Sequence, residues 1–332
     1  MGHVRSYNTG VLMGNWWEER IRQNEEIKRE ISDMEKINIL KKITSDLSTY
    51  EPPKCFYGQS DGVLRNGSSV VVINPGPTPY YIKIGVSSSR APSLLSMGLK
   101  NEQYLSTLGN QNTQVTLSRV LNSDSLNVVA SHMLQPAARN VFTVESCRQY
   151  PEGYAICYGQ PIVLVLEPTD QSIKDGEPPK TRLYLASDLK RVEDTSLSDG
   201  EQDVYLELNQ PSFSAQWSLE AADPKFRCEL EGTPVKLNER LLIRHIRTNQ
   251  VLALKPQTII RNAFGPELGV SVKTQLDPHK VERDVNVWLL ASTMQPLVHS
   301  RLETLTNTES SSASNVPNTM PETEITGQEV DY

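Results

Sequence analysis

The chain has 332 residues, enough for about two domains at roughly 150 residues each. Its 33 Lys and Arg against 40 Asp and Glu give a formal charge of −7. That balance opposes nucleic-acid binding, which needs a basic surface to neutralise phosphates. The six acids Glu303, Glu309, Glu322, Glu324, Glu329 and Asp331 follow residue 302 without a single Lys or Arg, so the rest of the chain is close to neutral. No apolar run approaches the ~20 residues of a membrane span and no signal-peptide core is present. The chain therefore reads as soluble and intracellular, and no membrane partner is assigned.

Residues 1–50 read as an N-terminal arm and helix. The first fifteen are Gly-rich and irregular. Met1-Gly2-His3-Val4-Arg5-Ser6 fits the N-myristoylation pattern, but no Lys/Arg cluster supplies the second signal that stable anchoring needs. From Trp16 to about Leu47 there is no Pro or Gly. Ile21, Ile27, Ile31, Met34, Ile37, Leu40, Ile43 and Leu47 recur mostly at three- or four-residue steps, a helical stripe. The stripe is thin. It fits a helix packed along its own domain and equally one that lies on a partner. Trp16 and Trp17 open this helix. They either fold back as a staple or, with Asn15, form a partner contact, since Trp is enriched among interface anchors. Pro52 and Pro53 end the helix.

Residues 51–302 change texture to short β-rich runs, and an internal repeat organises them. Runs at 69–75, 161–168 and 240–246 resemble one another. Each is followed by a second (80–84, 182–186, 250–254) and a third (126–130, 204–208, 269–273). The fourth carries one aromatic: Phe142, Trp217 or Trp288. Three units of four strands (about 67–146, 156–221 and 236–292) is the count of a β-trefoil, a closed barrel capped by hairpins. The three aromatics would be equivalent core residues. The first unit is longest. Its insertion, about 85–124, contains Ala91-Pro92-Ser93-Leu94-Leu95-Ser96, read as a helical turn. Residues 303–332 hold few large apolar side chains and read as a disordered acidic tail, dispensable for folding.

The search for chemistry finds no catalytic residue, no cofactor and no metal. The five His residues form no H-x-x-x-H or H-x-H pair, and no phosphate-binding or nucleophile-elbow motif is present. Cys55, Cys147, Cys157 and Cys228 show no C-x-x-C spacing and read as reduced thiols, with Cys157 a buried packing thiol. Asp277, His279 and Glu282 form an acid/base trio on paper, but Asp277-Pro278 reads as a turn.

Several motifs resemble the cilia- and flagella-associated protein 161 family. They are Gly10-Val11-Leu12-Met13-Gly14-Asn15-Trp16, Arg139-Asn140-Val141-Phe142 leading to Tyr158-Gly159-Gln160, Leu242-Ile243-Arg244-His245, and Leu276-Asp277-Pro278-His279-Lys280-Val281-Glu282 ending at Trp288. They fall in one order from about Gly10 to Met294. The resemblance implies a structural, non-enzymatic microtubule inner protein in the A-tubule lumen of the ciliary doublet. Its implied partners are alpha- and beta-tubulin and other inner proteins of the axoneme. The third and first units also resemble the repeats of MIR domains, which implies a trefoil. The rival reading is a soluble MIR-like or lectin-like domain that binds a small polar ligand, which predicts a concave pocket.

Overall fold

A computed structural model describes residues 14–49, 61–77, 90–99, 126–168, 182–188, 200–208 and 211–292. Helix α1 (Gly14–Ser48) starts two residues before Trp16. Twelve strands follow: β1 (Ser68–Asn74), β2 (Ser93–Gly98), β3 (Leu126–Ser131), β4 (Val141–Ser146), β5 (Pro161–Leu166), β6 (Leu183–Asp188), β7 (Gln202–Leu208), β8 (Trp217–Ala221), β9 (Arg240–His245), β10 (Gln250–Asn262), β11 (Gly265–Val272) and β12 (Val287–Ser292). A one-turn helix, α2 (Arg227–Leu230), lies between β8 and β9.

Eleven of the twelve expected runs coincide with strands. The exception is the second run of the first unit. Residues 80–84 lie outside the described part, and the place beside β1 and β3 belongs to β2. Residues 93–96, expected as a helical turn, are therefore strand. All six residues of β2 are buried, so its apolar run lacks the alternation that would distinguish strand from helix. The acidic tail lies outside the described residues.

The pairings are antiparallel throughout. β1, β4, β5, β8, β9 and β12 pair in a ring that closes on itself, through Val70↔Phe142, Phe142↔Leu166, Ile162↔Trp217, Trp217↔His245, Leu241↔Trp288 and Val72↔Leu290. Closure leaves these six strands no open edge. The other six form hairpins β2–β3, β6–β7 and β10–β11. Their inner strands meet one another through Leu126↔Leu206, Gln202↔Val272 and Leu268↔Ala130. This places Val128, Val204 and Val270 at equivalent positions, all buried.

At the opposite end of the ring three segments join through backbone hydrogen bonds. Leu64 N–H donates to Val235 O (2.8 Å), Val235 N–H to Ile156 O (2.8 Å) and Ile156 N–H to Leu64 O (2.9 Å), a triangle of three segments. All three side chains are fully buried. Three residues after each comes a left-handed backbone: Gly67 (φ 82), Gly159 (φ 78) and Asn238 (φ 63). Gly and Asn tolerate that conformation better than other residues. The N–H of each then donates into the ring, to Val144, Leu219 and Leu290.

Phe142, Trp217 and Trp288 sit inside the ring with no solvent exposure. The indole Nε1–H groups bond Leu185 O (2.8 Å) and Leu252 O (2.9 Å), so neither buried donor is left unpaired. Val70 and Val72 join this core, whereas Val71 and Ile73 of the same strand join an outer cluster with Leu94, Val141, Leu289 and Ala291. Successive residues thus serve two layers, which is why β1 reads as one continuous apolar run.

Candidate functional site

The described residues do not gather the side chains of a reaction centre. No group of three His, Cys, Asp or Glu residues among them could hold a metal ion. Asp277 Oδ1 accepts from His279 N–H and Val281 N–H, both at 2.9 Å, so the carboxylate closes a turn. Glu282 points elsewhere. It pairs with Arg227 (2.6 Å) and lies 3.7 Å from Arg244, which is held by Glu220. That line of alternating charges ties β8, β9 and α2 to the segment before β12. Cys157 is half-buried, and Cys147 and Cys228 are exposed free thiols.

His245 is fully buried, with Nε2 2.9 Å from Ser214 O and Nδ1 2.8 Å from Thr248 Oγ1. Its ring leans on Trp217 at 4.9 Å. Burial lowers its pKa below the ordinary histidine value; the Ser214 carbonyl and Asp188 oppose that, and Arg247 adds to it. A neutral ring wedged between a carbonyl and an indole is a structural support.

The feature the β body leaves unexplained is α1. Its last turns dock: Ile43 and Leu47 are buried in the main core and Leu40 packs against it. The C-terminal carbonyls, which have no partner within a helix, are met by the β3–β4 connection. Arg139 N–H donates to Leu47 O (3.3 Å) and Ala138 N–H to Thr49 O (2.9 Å). The described apolar residues from Trp17 to Ile37 are exposed. Trp17 is 61% exposed, Ile27 54%, Ile31 53% and Met34 68%.

Helical geometry explains the split. A helix turns about 100° per residue, so each three-residue step falls roughly 60° short of a full turn. Met34, Ile37, Leu40 and Ile43 make three such steps in succession. The apolar line thereby crosses the helix, and the centre of Ile27, Ile31 and Met34 lies roughly 170° from that of Leu40, Ile43 and Leu47. The outer face of α1 points away from the body that its root is docked on. Asn15 and Trp16 lie in the first turn of this same helix, beside exposed Trp17.

Comparison with known proteins supplies the family. The model of the cilia- and flagella-associated protein 161-like domain matches residues 96–293. The chain belongs to this cilia- and flagella-associated family. It is 30% identical to cilia- and flagella-associated protein 161 of Danio rerio, over 91% of this chain and 92% of the fish protein. The mouse protein of that name is 28% identical over 86% of this chain and 88% of its own length. The Bos taurus protein is 26% identical, over 86% and 82%. Among solved structures, the SDF2-like protein from Arabidopsis thaliana covers 69% of this chain and 94% of its own, at 14% identity and a TM-score of 0.41. A Caenorhabditis elegans protein of unknown function scores 0.42 at 13% identity, over 71% of this chain and all of its own. Both scores are too low to bear on fold or function. The model of the cilia- and flagella-associated protein 161 family matches from β2 onward, so its span covers most of the ring and leaves α1 outside.

Sequence reasoning missed two signals. One is the triangle, legible as Leu64-x-x-Gly67, Ile156-x-x-Gly159 and Val235-x-x-Asn238. The other is the drift of the helical stripe, which counting steps would have shown. Arg139 carried no signal as a site residue, because its side-chain partners come from β2, β3 and the β10–β11 hairpin.

Proposed function

We propose that this chain is a structural inner protein of the ciliary doublet, held in the A-tubule lumen by contacts with alpha- and beta-tubulin and neighbouring inner proteins. Its β body is a trefoil, a reading supported by the closed six-strand ring, the three hairpins and the three equivalent aromatics. The observation that carries the proposal is the outward apolar face of a helix whose other face is already docked. A body that closes its own core has no further use for that surface, so its contacts belong to an assembly. The family's association with cilia and flagella supports a ciliary location. Asn15, Trp16 and Trp17 form the contact, with a tryptophan as the anchor.

The test is the double change Trp16→Ala, Trp17→Ala. The isolated protein keeps its circular dichroism and thermal midpoint, while its retention in salt-washed axonemes falls. Loss of one anchoring Trp corresponds to about 2 kcal/mol, roughly thirtyfold in affinity. A variant that instead loses its cooperative melt places the tryptophans on the body and sinks the proposal.

A further inference from the structure

We infer that Arg139 is the positioning residue that couples α1 to the β body, by fixing the turn whose two N–H groups receive the end of the helix. The inference rests on the geometry of the described residues and stands apart from the tubulin reading.

A short turn precedes each aromatic-bearing strand of the ring. Two are 3₁₀ turns, Phe213–Ala215 and Asp284–Asn286; the third is at 138–140. In each case the strand on the far side of the aromatic presents one end residue to the turn. By the ring pairings these end residues are Leu166 opposite Phe142 and His245 opposite Trp217, and Asn74, one residue beyond the Ile73↔Leu289 pair, on the Trp288 side. His245 Nε2 bonds Ser214 O at 2.9 Å. Asn74 Nδ2 bonds Asp284 O at 3.1 Å and Val285 O at 3.4 Å. The Leu166 side chain has no donor. Asn140 braces the 138–140 turn locally, accepting from Ala137 N–H (2.7 Å) and donating to Gln135 O (3.0 Å), but the turn still needs a support that ties it to the strands.

Arg139 supplies it. Its carbonyl accepts from Met97 N–H at 2.8 Å. Its guanidinium donates to Met97 O (3.4 Å), Ser131 Oγ (3.1 Å) and Glu267 Oε1 (2.8 Å). The same group lies 4.0 Å over the Phe264 ring. Asn262 Nδ2 donates to the other Glu267 oxygen at 2.5 Å. Arg139 is 2% and Glu267 3% exposed. One side chain thus ties the turn to β2, β3 and the β10–β11 hairpin. Its own N–H donates to Leu47 O in the last turn of α1, and that of Ala138 to Thr49 O just past the helix. A guanidinium suits the task because its planar fork reaches several acceptors at fixed angles. Removing the carboxylate leaves a buried charge without its counter-ion.

Hydrogen–deuterium exchange on the full chain tests the inference, with Glu267→Gln, Arg139→Met and Arg139→Lys beside the parent. Glu267→Gln preserves shape and changes only the counter-ion. Protection of the amides at 43–48 falls by about tenfold or more in Glu267→Gln and Arg139→Met, while amides of β5, β8 and β9 hold within about twofold. Arg139→Lys keeps the charge without the fork and gives a smaller loss. Two results overturn the inference. One is unchanged protection at 43–48 in both Glu267→Gln and Arg139→Met. The other is an equal fall in α1 and in the ring strands, which would make Arg139 a support of the whole body.

Discussion

Two of the turns before the ring aromatics are held from within the ring, and the third is where the helix enters. At the first two, a polar side chain at a strand end, His245 or Asn74, reaches back to a carbonyl. At the third, Leu166 offers nothing, and Arg139, Met97 and the end of α1 meet the turn instead. The difference teaches where a near-symmetric body accepts an appendage. At the first two corners the strand-end side chain caps a carbonyl of the turn. At the third, the N–H groups of Ala138 and Arg139 meet the carbonyls of Thr49 and Leu47 at the helix C-terminus.

The harshest way to break the comparison is to remove the core that all three corners share. Trp288 is fully buried, and its indole N–H satisfies Leu252 O. Trp288→Ala opens a cavity and removes one of the two side-chain donors to that carbonyl, the other being Asn286 Nδ2 at 3.3 Å, costing about 3–5 kcal/mol, enough to unfold a domain of marginal stability. Chemical denaturation should show a large fall in midpoint. A near-parental midpoint would mean that the ring does not depend on its aromatics.

Leu47→Ala sharpens the comparison at the helix corner. Leu47 is fully buried in the main core, and its carbonyl receives Arg139 N–H. The truncation should cost about 2–5 kcal/mol, toward the low end because a docked helix end relaxes more readily than a closed ring. If the body melts as the parent does, α1 is not part of the cooperative unit.

Much of this body was legible in the sequence because eleven of the expected short runs fall on strands, three of them carrying a fully buried aromatic. The reading failed where local pattern carries no information. β2 is buried on both faces, so only its neighbours in the sheet decide that it is strand. The arm was visible as apolar and aromatic, but which of its faces is covered depended on the count of three-residue steps from Met34 to Ile43. The Arg139 cluster was invisible, since Met97, Ser131, Asn262, Phe264 and Glu267 converge only after the hairpins fold.

His245 gives the corner before Trp217 a pH dependence. Burial depresses its pKa below the ordinary value of 6.5, so on acidification the unfolded chain binds the proton first. Stability increases with pH wherever the unfolded state holds more protons. The contribution of this site is therefore complete above about pH 6.5 and declines as pH falls through it. His245→Gln keeps an amide donor for Ser214 O and has no titrating ring. Denaturation midpoints between pH 7.5 and 5 should fall less steeply in the variant than in the parent. Parallel curves would mean that the ring takes up its proton in place.

The smallest expected effect separates the two faces of α1. Ile31 is 53% exposed on the outer face, whereas Ile43 is 4% exposed at the root. A half-exposed isoleucine that touches no core leaves no cavity when shortened, and Ala is the better helix former by a few tenths of a kcal/mol. Ile31→Ala should therefore change stability by no more than about 0.5 kcal/mol. Ile43→Ala removes a buried side chain of the same size and should cost about 2 kcal/mol or more. The pair shares helix, residue type and substitution, so the difference between their midpoints measures docking alone. Equal losses would show that the outer face is also packed on the body, and the helix would then have no free surface to offer an assembly. A null at Ile31 together with reduced axonemal retention would extend the contact from Trp16 and Trp17 along the outer face.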